Sequence, residues 1–146
     1  MEIDIKPLSE ENLEQALALE TACFSDPWSK AMLLPEISNL NACFLIALVG
    51  KTAAGYGGIY WAADEASIAR LCVLPAFRRN HIGKALIEAL LRQAKKKGAV
   101  KTFLEVRKSN LPAISLYQSV GFSRLGERNR YYPDNLEDAV IMVKEG

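Results

Sequence analysis

Long apolar runs are missing from this chain, and so are most residues that announce a metal or a reactive nucleophile. The longest apolar stretch, CFLIALV from Cys43 to Val49, has only strand length. A membrane helix needs roughly 20 such residues, so no membrane partner is expected. The N-terminal MEIDIKPLSEENLEQ carries acidic residues early and has no apolar segment of secretory-signal length. His81 is the only histidine, and the three cysteines, Cys23, Cys43 and Cys72, are odd in number and far apart. They match neither a disulfide framework nor a zinc site, so no metal is expected and a reduced, cytoplasmic compartment is. Charge of one sign is lacking too, with 18 Lys and Arg against 17 Asp and Glu. Nothing therefore pulls the whole molecule onto nucleic acid or an anionic membrane, although basic residues cluster locally at Arg78–Arg79, Lys95–Lys97 and Arg124–Arg130. Repeats, low-complexity tracts and linkers are absent, and the 146 residues read as one domain over 1–146.

What is present has clear periodicity. EIDIKPL alternates like a first strand, and Ser9 is expected to cap a helix bearing Leu13, Ala16, Leu17 and Glu20. DPWSKAMLLPEI suggests a short second helix capped by Ser29 and interrupted near Pro35. NACFLIALVG, AAGYGGIYWAA and ASIARLCVLP follow as an antiparallel meander, with turns at Gly50–Lys51 and Asp64–Glu65. Leu86, Ile87, Leu90, Leu91 and Ala94 then form a helical stripe that closes with Lys95–Lys97 and a C-terminal Gly98. KTFLEVR reads as a strand, SNLPAISLYQSVG as a helix capped at Asn110 or Ser109, and DAVIMVK as the last strand. The order β-α-α-β-β-β-α-β-α-β-β implies an α/β (α+β) domain with a mixed sheet and helices packed on it.

One turn invites chemistry. In LCVLPAFRRNHIGKAL a strand runs through a short basic turn into a helix, whose first N–H groups lack intrahelical acceptors and sit at the positive end of the helix dipole. The spacing matches neither G-x-x-x-x-G-K-[ST] nor G-x-G-x-x-G. By physics alone the turn is equally a phosphate cradle or an ordinary basic loop.

RRNHIG resembles the R/Q-x-x-G-x-G/A signature of the GCN5-related N-acetyltransferase (GNAT) family, fitting at Arg78 and Gly83 and departing at His81. PWS, LEVRKSNLPAISLYQSVGF and RYYPDNLEDAVIM are similar, in the same order, to blocks of the bacterial ribosomal-protein-alanine N-acetyltransferases, the RimI group. The resemblance spans residues 3 to 143. It implies the acyl-CoA N-acyltransferase fold, a sheet of about six or seven strands splayed between strands 4 and 5 and flanked by about four helices. It also implies acetyl-CoA as donor and a protein N-terminus as acceptor, that of a small-subunit ribosomal protein, in a monomer or weak homodimer.

Three tasks then fall on residues matching the family's positions. Leu71, Cys72 and Val73 would pair with the pantetheine arm, and Arg78, Arg79, Asn80, His81, Ile82, Gly83 and Lys84 would face the pyrophosphate. Asn110 matches a further cofactor contact and is equally a plain helix cap. Glu105 matches the general base; strand alternation places it with Phe103 and Arg107, opposite Leu104 and Val106, where it is otherwise an exposed acid on a sheet edge. Tyr117 matches the proton donor to the leaving thiolate, yet it also lies on a core stripe with Ala113, Ile114 and Val120. Trp28, Tyr131 and Tyr132 are expected to wall the acceptor slot, and are equally readable as packing or turn geometry; Glu137 and Asp138 would help place a cationic amine or stand solvated. His81, standing where the family has glycine, is expected to serve through its N–H with its side chain outward. A Cys72–His81 nucleophilic mechanism lacks an orienting partner. The competing functions are acetylation of another protein N-terminus or a small amine, and a non-catalytic CoA-binding or protein-binding module.

Overall fold

The computed structural model describes residues 2–146. A seven-stranded mixed sheet runs through the molecule in the order β1-β2-β3-β4-β5-β7-β6. The strands are β1 (Asp4–Pro7), β2 (Ala42–Val49), β3 (Thr52–Ala62), β4 (Glu65–Val73), β5 (Lys101–Arg107), β6 (Ser123–Arg128) and β7 (Ala139–Glu145). The helices are α1 (Leu13–Cys23), α2 (Lys30–Leu33), α3 (Ile82–Lys96) and α4 (Leu111–Ser119). All neighbouring strands are antiparallel except β4 and β5.

The meander forms where glycine and alternation predict it. Gly50, at φ 62°, turns β2 into β3, and β3 turns into β4 through Ala63, at φ 54°, and Asp64. The second turn thus sits one residue earlier than Asp64–Glu65, because Glu65 already pairs with Ala62. At the first helix the cap is Asn12, not Ser9. The Asn12 side chain folds back to accept the Ser9 N–H at 2.8 Å and to donate to the Pro7 carbonyl at 3.1 Å. Those bonds hold Ser9 in the approach to the helix and delay its first turn. Ser29 does cap α2, accepting the Met32 N–H, and Pro35 opens a 3₁₀ turn over Leu34–Ser38.

Helices cover both faces. On one face α1 and α2 bury Leu13, Ala16, Leu19 and Leu33 against Phe44, Ile46, Tyr56 and Cys72. On the other, α3 buries Leu86, Leu90 and Ala94 against Leu45, Ala47 and Ile59. Farther along that face, Ile87 joins Leu104, Val106, Tyr117, Phe122, Val140 and Met142 around α4. Burying side chains of this size contributes about 1.5–3 kcal/mol each, which holds the two halves of the sheet together from outside their shared ladder.

That ladder is short. β4 and β5 pair only at Glu65–Lys101, Ala66–Thr102 and Ser67–Phe103, and then diverge. Beyond the third pair the two strands leave an opening in the middle of an otherwise continuous sheet.

Candidate active site

The opening exposes backbone. Leu74 donates its N–H to the Ala54 carbonyl at 2.8 Å, so by alternation Cys72 also turns its backbone groups to β3, its register partner being Tyr56. Leu71 and Val73 consequently turn theirs toward the gap. Arg78 Nε reaches the Val73 carbonyl at 3.2 Å, on this free side of the strand. An extended, amide-bearing chain finds here the edge that a further strand would use.

Past β4 the chain makes a 3₁₀ turn at Pro75–Phe77, and Arg78 is extended. Arg79, at φ 68°, and His81, at φ 61°, then both adopt the left-handed conformation before α3 begins at Ile82. Left-handed residues set just ahead of a helix aim successive N–H groups into one concavity, which attracts anions. The first helical hydrogen bond is from Ala85 to the His81 carbonyl, and none of the N–H groups from 79 to 84 donates to a protein acceptor among the described residues. Six consecutive free donors at a helix start are an arrangement suited to an anion. His81 makes no side-chain capping bond; its contribution is geometry. Asn80 is tied by its Nδ2 to the Phe77 carbonyl at 3.3 Å, which steadies the turn. Gly83 is small for another reason: a Cβ there would stand 3.1 Å from Leu116 Cδ2, where α3 meets α4.

The α1 face of the opening is built from side chains. Leu104 and Val106 are buried on the α4 side of β5, while Phe103, Glu105 and Arg107 point the other way. β5 is interior to the sheet, yet at Glu105 it pairs only with β7, its other side bordering the opening, and the Glu105 side chain is exposed. The Arg128 guanidinium lies 3.5 Å from Glu105 Oε1. The Glu105 carboxylate near the Tyr131 phenol, together with partial burial, raises the Tyr131 pKa. Arg107 then fastens the β6–β7 loop: it bonds Asp134 at 2.9 Å, Asn135 at 3.2 Å and Glu137 at 3.4 Å, and its guanidinium stacks 4.0 Å from the Tyr132 ring. Asp134 also accepts the Ser25 hydroxyl at 2.9 Å, joining this loop to the one between α1 and α2. Glu137 is occupied by Arg107 and by the Ser109 N–H at 2.8 Å, and Asp138 accepts the Arg130 N–H at 2.9 Å. Both acids therefore shape the loop.

Tyr117 projects from α4 into the cluster between helix and sheet, edge-on to Phe122. Burial, followed by the nearby Tyr132 phenol, raises its pKa well above that of a free phenol. Its hydroxyl has no protein partner among the described residues, yet no side-chain polar atom there is both fully buried and unpaired. The ring is enclosed and its tip is open. Asn110 caps α4 by accepting the Ala113 N–H at 3.2 Å, which leaves its amide nitrogen free.

One cluster escaped the sequence. Glu20, fully buried in the last turns of α1, accepts from Arg70 Nε at 3.0 Å, from the Tyr56 hydroxyl and from the Trp28 N–H at 2.8 Å. Arg70 continues to the Asp26 carbonyl at 3.1 Å and stacks 3.8 Å from the Phe24 ring and 4.9 Å from that of Trp28. Trp28 in turn rests 6.0 Å from Phe44, whose ring lies across Gly58 where any Cβ would collide with it. Trp28 is thus a packed wall of the α1–α2 loop. The only hint was an acid on the apolar stripe of α1.

Cys72 is buried beside Cys23, and its thiol pKa is raised by that neighbour and by burial. A thiol so placed is a poor nucleophile. No group of His, Cys, Asp and Glu among the described residues could hold a metal ion. No described helix is long and apolar enough to cross a membrane.

Comparison with known proteins agrees with this geometry. The family model described as "Acetyltransferase (GNAT) family" matches residues 13–122. Over 141 residues the chain is 35% identical to the [ribosomal protein bS18]-alanine N-acetyltransferase of Escherichia coli K12, covering 95% of both chains. It is 35% identical over 133 residues to the putative enzyme of that name from Bacillus subtilis, covering 90% of this chain and 88% of the relative. The crystal structure of the Escherichia coli ribosomal-protein-S18-alanine N-acetyltransferase superposes with a TM-score of 0.88 at 30% identity, covering 99% of this chain and 94% of that one. The PaiA N-acetyltransferase of Thermoplasma acidophilum, solved in complex with coenzyme A, superposes with a TM-score of 0.84 at 28% identity, each chain fully covered.

Proposed function

The chain belongs to the acetyltransferase (GNAT) family and is an acetyl-CoA-dependent N-acetyltransferase; from that premise we propose that its acceptor is a protein N-terminus, the N-terminal alanine of a small-subunit ribosomal protein. The observation that carries this reading is near-full-length similarity to the enzymes that bear that name. The α1–α2 and β6–β7 loops, joined by Ser25 and Asp134, and Tyr131 beside Glu105 support it as the walls of an acceptor slot.

On this reading the free edges of Leu71 and Val73 hold the pantetheine arm, and the donors of residues 79–84 hold the pyrophosphate. Arg78 and Arg79 add charge to that cradle. The acceptor amine enters from the α1 face. A peptide α-amine titrates at roughly 7.7–8.0, so a carboxylate suffices to take its proton, directly or through one water. Glu105 is that base. The amine nitrogen attacks the thioester carbonyl, the C–N bond forms, and the C–S bond breaks as the electron pair leaves on sulfur. Tyr117 directs its phenol proton at that sulfur. With a pKa above the free-phenol value of about 10, it stays protonated across the neutral range and acts as a fixed hydrogen-bond donor to the developing thiolate.

A panel of hexapeptides varied at the first residue, run beside polyamines and aminoglycosides, tests the acceptor. Strong preference for Ala-initiated ribosomal peptides is expected. Turnover of the small amines alone would replace the reading, and acetyl-CoA binding without turnover of any amine would reduce the chain to a CoA-binding module.

A further inference from the structure

The Glu20–Arg70 cluster has no part in the steps above, yet it connects both substrates' surroundings. Arg70 immediately precedes Leu71 on β4, and its side chain crosses to the α1 face. There it holds the end of α1 through Glu20, the loop backbone through Asp26, and the rings of Phe24 and Trp28 by stacking. Every segment of the α1–α2 loop from residue 24 to 28 except Pro27 is thereby tied to Arg70, to Glu20 or, at Ser25, to Asp134. The guanidinium has 16% of its side chain exposed, and the carboxylate none.

A buried ion pair is a weak source of stability, because desolvation offsets most of the attraction. What it supplies is geometry: a planar fork bonded on its edge and lying against two aromatic rings is held in one orientation. We propose that Arg70 is a positioning residue for the acceptor, fixing Phe24 and Trp28 as the rigid wall of the slot opposite the β6–β7 loop, so that the first acceptor residue meets Glu105 in one pose. This role presupposes a peptide N-terminus as acceptor. Arg70 touches no reacting atom and acts through the loop it clamps. Lysine keeps the charge at this place but loses the fork and the stacking.

The test is steady-state kinetics on Arg70→Lys with the peptide panel. The peptide KM is expected to rise by roughly tenfold, with acetyl-CoA KM unchanged and kcat within about threefold, since pose and not chemistry is disturbed. The ratio of kcat/KM for Ala-initiated over bulkier-initiated peptides should shrink as well. The double variant Glu20→Gln/Arg70→Met leaves no buried charge unpaired, so it controls for folding. It is expected to keep a cooperative melt and reproduce the loss of peptide selectivity. Wild-type peptide KM and selectivity in either variant overturns the role, as does an equal loss for both substrates that tracks a lowered Tm. If the wild-type enzyme turns over no peptide, the acceptor assignment falls and this role with it; wild-type turnover with an indifferent Arg70→Lys removes the role alone.

Discussion

The proposed donor cradle and the proposed acceptor slot meet at the same gap between β4 and β5, yet they are made of different material. The cradle is main chain: the edges of Leu71 and Val73, and a run of unpaired N–H groups ahead of α3. The acceptor side as proposed is side chain throughout, with Glu105 beside Arg128 and Tyr131, Arg107 gripping the β6–β7 loop, and Arg70 gripping the α1–α2 loop. A backbone receptor asks only that φ and ψ be right, so it accepts an odd residue such as His81. A side-chain receptor depends on identity. Substitutions should therefore cost much on one side of the gap and little on the other.

Glu105→Gln should show the largest cost, about a thousandfold in kcat, because the amide cannot take a proton. Tyr117→Phe should follow at about a hundredfold in kcat with acetyl-CoA binding intact, the amount typical of removing one fixed donor from a developing anion. Across pH, turnover should climb through roughly 7–8 as the acceptor amine loses its proton. Tyr117 should impose no descending limb below about 10, since its shift is upward and the phenol remains protonated there. A fall in rate between pH 8 and 9 that Tyr117→Phe abolishes would contradict this. His81→Gly should change acetyl-CoA KM by only a few-fold. It relieves about 1 kcal/mol of left-handed strain while adding about as much chain entropy, so Tm should hardly move. A collapse of kcat in this variant would place chemistry on the donor side and erase the contrast. Smallest of all, Cys72→Ala should leave kcat within about twofold, because the buried thiol is not the nucleophile.

The contrast also explains what the sequence disclosed. Periodicity, glycine and proline placed every helix and every strand except β6, whose residues Ser123–Arg128 were given no segment, and the strand-to-helix turn was legible because a helix start and a few neighbouring residues make it. Glu105 and Tyr117 are proposed through family resemblance; alternation alone gave Glu105's face but not its partners. Arg128 and Tyr131 reach it from across the sheet, and their contacts depend on β7 lying between β5 and β6. The Glu20–Tyr56–Arg70 cluster joins α1, β3 and β4, so no local spacing encodes it. The misplaced cap at Ser9 has a local cause: a side chain three residues later folded back and claimed its N–H. Local rules describe elements well, and long-range polar pairing is decided by topology.

Three rungs join β4 to β5, and past them the sheet is missing what amounts to a strand. A donor molecule bound along Leu71 and Val73 would supply that strand, making the substrate part of the protein's own ladder. Folding and donor concentration then become linked quantities. At a hundredfold excess over Kd such linkage contributes about 2.7 kcal/mol to the folded state. Amide hydrogens at the gap would slow their exchange with solvent in the same proportion, so this enzyme's rigidity would follow the acetyl-CoA supply of the cell.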